Sequence, residues 1–104
     1  MIESGRVRLP VSDVERSLRF YIETLGVKLV ASADGTARLD LGGGFEIDLV
    51  REPGHVALTL AVRGDYEEAV ATYENRGLIL TRSDTHAHCT DPDGNLLRFE
   101  PSPA

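Results

Sequence analysis

The chain repeats itself. Val7 aligns with Val56 at an offset of 49 residues, and residues 35–51 align with residues 85–101 at an offset of 50, with Gly44 falling on Gly94. A repeat of this length reads as a supersecondary unit that buries its apolar face only when a second copy packs beside it. In the first half Val7, Leu9 and Val11 alternate with Arg6, Arg8 and Pro10, the period of a half-buried strand. Ser12 and Glu15 frame a capping box, and Val14, Leu18, Tyr21, Ile22 and Leu25 then recur at helical spacing up to Gly26. Residues 27–33 and 36–41 read as strands joined by an Asp34-Gly35 turn. After the Gly42-Gly43-Gly44 turn, Phe45, Ile47 and Leu49 alternate with Glu46, Asp48 and Val50.

The second half restarts the pattern. Val56, Leu58, Leu60 and Val62 alternate with His55, Ala57, Thr59 and Ala61. Asp65 and Glu68 frame a second capping box, Ala69, Val70 and Tyr73 mark a buried helix face, and Gly77 closes the helix. Residues 78–80 begin a strand, residues 86–90 form another, and Asp91-Pro-Asp-Gly94 is a turn before a last strand over residues 96–100. Each half is therefore strand, helix, three strands. The expected fold is α+β: one domain over residues 1–104, with one βαβββ module in residues 6–52 and a second in residues 54–101. Two such modules form a mixed, open barrel-like sheet around a cleft, with the helices outside.

Charge and composition exclude several classes. With 17 acidic against 11 basic residues the net charge is -6, and no basic cluster with interleaved aromatics offers a nucleic-acid surface. Cys89 is the single cysteine, so no intrachain disulfide forms, which suits a reducing cytoplasm. No apolar run is long enough for a membrane span. A soluble cytoplasmic protein is expected.

Three stretches together resemble the vicinal oxygen chelate superfamily of glyoxalases, bleomycin-resistance proteins and extradiol dioxygenases. They are VSDVERSLRFY over residues 11–21 followed by Leu25-Gly26, GHVALTL over residues 54–60, and DPDGNLLRFE over residues 91–100. In metal-dependent members, the resemblance implies, four cleft residues from the first and last strand of each module hold a divalent ion. Carried over by motif, those positions are Arg6, Asp48, His55 and Arg98. The repeat pairs them likewise, Arg6 with His55 and Asp48 with Arg98. Arginine has no lone pair to give a cation, so the metal site reads as degenerate. Asp48 and His55 alone make a weak site, to which His86 and His88, a His-x-His pair, add only a displaced possibility.

The cleft-facing set is thus Arg6, Arg8, Glu46, Asp48, His55, Thr59, His88 and Arg98. Two chemistries suit it. The arginines grip an anionic ligand group, or they pair with the carboxylates and fill the space an ion would take. Cys89 falls by parity on the helix-facing side and reads as a small buried hydrophobe. The reading adopted is a small-molecule-binding protein of the glyoxalase/bleomycin-resistance type, sequestering a drug or metabolite, with no cofactor and as a homodimer. The rival is a metal-dependent lyase or isomerase of glyoxalase type using His55 and Asp48. A structural or regulatory dimer without ligand is the third possibility.

Overall fold

The computed structural model describes residues 1–103. Eight strands and two helices follow the expected order: β1 (Gly5–Val11), α1 (Val14–Arg19) continued by a π-helical turn (Phe20–Thr24), β2 (Lys28–Ala33), β3 (Thr36–Gly42) and β4 (Phe45–Arg51). The second half gives β5 (Ala57–Val62), α2 (Tyr66–Asn75), β6 (Thr81–Arg82), β7 (Ala87–Thr90) and β8 (Leu96–Pro101). The strands make two four-stranded sheets, ordered β1-β4-β3-β2 and β5-β8-β7-β6. In each, the first and last strands are parallel neighbours and the rest are antiparallel. The fold is α+β and the sheets stay open.

Alternation decides which strand face is covered. Leu9, Val11, Ala37, Leu39, Ile47 and Leu49 of the first sheet are buried, as are Leu58, Ala87, Cys89, Leu97 and Phe99 of the second. The helices close that side. Tyr21 and Val70 are fully buried, and the Tyr73 ring lies 5.3 Å from that of Phe99. Buried residues of both modules make one core. The opposite faces carry the polar residues.

Four expectations need correction. The N-cap of α1 is Asp13, which accepts from the Arg16 N–H, and not Ser12, because Ser12 gives both its N–H and its hydroxyl to Asp93. Asp65 caps α2 as expected, accepting from the Glu68 N–H. Ile22 is 36% exposed, since the wider π turn brings Tyr21 inward instead. Residues 78–80 are the exit of α2, not strand. The Leu78 N–H returns to the Tyr73 carbonyl, and Leu78 is buried while Ile79 is exposed.

The fourth correction concerns the repeat. Strand register places Arg8 beside Asp48 and Thr59 beside Arg98. With Asp48 and Arg98 equivalent, the first strands of the two modules match Arg8 with Thr59, two residues away from the alignment of Val7 with Val56. Arg6 then corresponds to Ala57. A slip of two residues leaves every side chain on the same face, so the alternating pattern alone does not detect it.

Candidate functional site

The open face of the first sheet is a charged lattice. Across β1, β4 and β3 one row reads Arg8, Asp48, Arg38 and the next reads Arg6, Glu46, Asp40. Asp48 is held from two sides: Arg38 Nε lies 2.9 Å from Oδ1 and Arg6 Nε lies 3.4 Å from Oδ2. Arg6 also reaches Glu46 at 4.0 Å, and Arg8 pairs with Glu52 at 2.9 Å. The hydrogen bond to Asp48 raises the Arg38 pKa, and that from Arg8 lowers the Glu52 pKa.

The open face of the second sheet is different. Thr59, Arg98 and His88 form one row across β5, β8 and β7. Arg98 Nε lies 3.4 Å from Glu100 of its own strand. His86 and His88 stack with ring centroids 6.0 Å apart, and Nδ1 of His86 is hydrogen-bonded to the Ser83 hydroxyl at 3.0 Å. No cluster of three metal-ligating side chains occurs among the described residues.

Of the four positions assigned to a metal by resemblance, the structure joins Arg6 and Asp48. Arg98 makes its ion pair with Glu100, in the other sheet. His55 precedes β5 and packs against the turn at Gly94, where an added Cβ would lie 3.1 Å from its Nε2. Gly94 also has a φ of +87°, so the position favours glycine twice over. As a donor set the four do not fit a divalent cation. Two are guanidinium groups, and both oxygens of Asp48 already face guanidinium nitrogens.

The concavities lie elsewhere. One of about 610 Å³ opens between the start of α1, the β2–β3 hairpin and Arg51, and contains none of the predicted site residues. A smaller one of about 320 Å³ brings His55 beside Pro10, Arg16, Glu52 and Asp93 where the modules meet. The polar residues named from the sequence therefore lie on open sheet faces and at this junction, not in one enclosed cavity of a single chain.

The junction holds residues that the sequence reading left unassigned. The Tyr21 hydroxyl donates to Asp91 Oδ2 at 2.6 Å, and Asp91 Oδ1 accepts the N–H groups of Asp93 and Asn95. Asn95, fully buried, donates from Nδ2 to the Pro10 carbonyl at 2.8 Å and to Asp91, and its Oδ1 accepts from the Val56 N–H. Asp93 accepts from Ser12, Arg16 and buried Ser17. Burial favours the neutral Asp93 carboxyl, but the Ser12 and Ser17 hydrogen bonds and the Arg16 charge outweigh it, and its pKa is lowered. Burial first, then the hydrogen bond to Asp91, raises the Tyr21 pKa. Burial and the nearby Asp91 push the Cys89 thiol up to about 11, so it is no nucleophile. This turn ties the second module to β1 and α1 of the first.

Comparison with known proteins agrees with the topology. Solved structures with the same fold include an integron cassette protein from the mobile metagenome of Vibrio cholerae, 23% identical over 97% of this chain and 95% of that one, with a TM-score of 0.83. A glyoxalase/bleomycin resistance protein from Catenulispora acidiphila is 23% identical over 98% of this chain and 100% of that one, with a TM-score of 0.81. An antibiotic binding protein from a Streptomyces species is 28% identical over 98% of each chain, with a TM-score of 0.80. A search of curated proteins found no match. No helix among the described residues is long and apolar enough to cross a membrane. Residues 4–99 match the family model described as Glyoxalase/Bleomycin resistance protein/Dioxygenase superfamily, and the chain belongs to that superfamily.

Proposed function

We propose that this protein binds a small molecule without a divalent metal, as a drug- or metabolite-sequestering member of the glyoxalase/bleomycin-resistance type. The observation that carries the reading is the state of Asp48. The one carboxylate among the four metal positions is occupied by Arg6 and Arg38, which supply the positive charge an ion would otherwise bring. The 28% identical antibiotic binding protein supports the same class. The ligand rests on the open strand faces, drawn from Arg6, Arg8, Glu46, Asp48, Thr59, His88 and Arg98, with His55 at the junction. A homodimer covers the free sheet edges. Among the described residues strands β1, β2, β5 and β6 each have an unpaired edge in one chain, and a two-fold assembly covers such edges.

Calorimetric titration of chelator-treated protein with a panel of antibiotics and aromatic metabolites tests the binding reading. The expected result is saturable binding that added zinc or nickel does not change. Metal-dependent turnover of glutathione hemithioacetal, lost in His55→Ala and in Asp48→Ala, would establish the rival lyase or isomerase instead. Light scattering tests the assembly. Twice the 11.3 kDa chain mass is expected, and the mass of one chain at micromolar concentration refutes the dimer.

A further inference from the structure

The two open faces differ in how far their polar groups are already satisfied. On the first sheet Arg8 and Arg38 are hydrogen-bonded to carboxylates of the same face or its rim, and Arg6 lies between two carboxylates, Asp48 and Glu46. On the second sheet Ala57, Thr59 and Leu96 are exposed, and Leu96 keeps 42% of its surface in contact with solvent. The stacked rings of His86 and His88 lie on the other side of Arg98, with His88 in the Arg98 row and Thr90 opposite Leu96. Arg98, in the same row as Thr59 and His88, has Nε 3.4 Å from Glu100. Among the described residues its two terminal nitrogens have no hydrogen-bond partner.

We infer that the second sheet's open face is the subsite for a flat aromatic ligand carrying a carboxylate, its rings lying over the His86–His88 pair and its carboxylate on the end of Arg98, in the neighbouring strand beside His88. This rests on the small-molecule reading above and names the class of ligand. Small side chains at Ala57 and Thr59 leave room for a rigid plane. The stacked imidazoles give it a surface for stacking and dispersion. The guanidinium edge presents two parallel N–H donors, the geometry that a carboxylate accepts. The first sheet lacks all three features, because its rows are filled by long charged side chains paired with each other.

The test uses 2-naphthoate, the uncharged 2-naphthalenemethanol and the aliphatic decanoate as probes. They are added to the full-length protein and followed by the carbon-bound imidazole proton signals of His86 and His88 and by calorimetry. 2-Naphthoate is expected to bind with ring-current shifts at both histidines. Naphthalenemethanol and decanoate should each bind more weakly. Arg98→Gln should weaken naphthoate by roughly tenfold or more, the loss of a charge-assisted hydrogen bond. Arg82→Gln, on the helix side where Arg82 pairs with Glu67 and Glu74, should not. Equal binding of decanoate, or naphthoate binding without imidazole shifts, overturns the inference and leaves the broader reading intact. Silence of the imidazoles toward every probe also overturns it. The broader reading falls separately, if the antibiotic and metabolite panel shows no saturable binding.

Discussion

The turn of residues 41–45 and the turn of residues 91–95 occupy equivalent places in the two modules, and they do opposite things. The first is Leu-Gly-Gly-Gly-Phe, and a Cβ placed at Gly42 or Gly43 would meet nothing. It reverses the chain, with Leu41 and Phe45 at its ends packed on the core and no side chain reaching the other module through a hydrogen bond among the described residues. The second is Asp-Pro-Asp-Gly-Asn, and its three polar side chains reach Pro10, Ser12, Arg16, Ser17, Tyr21 and Val56. Duplicated modules thus share a backbone plan while one copy of a turn has become the fastening between them. Among the described residues no strand pairing joins the two sheets, so polar contacts at this turn join the shared core in holding the modules together.

The sharpest way to break that contrast is Asn95→Ala. It removes the Asn95 partner of the Pro10 carbonyl in a buried place and of the Val56 N–H in a half-buried one, at about 1–3 kcal/mol for an unsatisfied group, and about 3 kcal/mol is expected in all. Chemical denaturation reads this directly. A loss below about 1 kcal/mol would show that water replaces the side chain and that the fastening is not where we place it. Tyr21→Phe follows in size. It removes one hydrogen bond to a carboxylate while keeping the ring in the core, and about 2 kcal/mol is expected. Asp91 keeps its bonds from Asn95 and the backbone, so the variant should still fold cooperatively, with a lower denaturation midpoint.

Much of this architecture is legible in the residues. Period-two alternation identifies the buried strand faces, down to Ala87 and Cys89, because only one face of each sheet meets a helix. Asp65 announces the start of α2 correctly. What escapes is whatever depends on a distant partner. Ser12 and Asp13 are equally good caps locally, and Asp93, 81 residues from Ser12, decides between them by taking Ser12 for itself. The two-residue slip between β1 and β5 is invisible for the reason that makes alternation informative: parity is all it measures. That slip moves His55 out of the strand and puts Thr59 opposite Arg98. A signal for the fastening does exist. Asp91, Asp93 and Asn95 stand where the repeat has Leu41, Gly43 and Phe45, and a turn that needs only its Pro and Gly carries three further polar side chains for some other purpose.

Acid sharpens the comparison further. The folded-state pKa of Asp93 is lowered. Its stabilising contribution is therefore complete above the unfolded value of about 3.9 and is lost as pH falls through the lower folded value. Stability measured from pH 6 down to pH 2 should fall more steeply in the parent than in Asp93→Asn, which has no proton to take up there. The Asp93→Asn protein should also be the less stable of the two at pH 6, since the amide loses the Arg16 ion pair. Parallel curves would place the acid sensitivity on other carboxylates.

The smallest effect is expected where the sequence alone suggests a large one. Arg98 is one of four residues that the motif places in a metal cage, and an arginine filling such a cage would be costly to remove. In the structure its side chain is 45% exposed and its nearest carboxylate, Glu100, lies 3.4 Å away on the same strand. An exposed pair of this kind contributes little, because water screens it and holding two long side chains costs entropy. Arg98→Ala should therefore change stability by less than about 0.5 kcal/mol, against the several-fold larger loss in Asn95→Ala. Glu100 is left in solvent, not stranded. If Arg98→Ala instead destabilises the protein as much as Tyr21→Phe does, the second sheet's open face is covered in solution. The dimer interface is the element that would cover it. Repeating the measurement at tenfold higher protein concentration then decides the matter, since an interface contribution makes the apparent stability concentration-dependent.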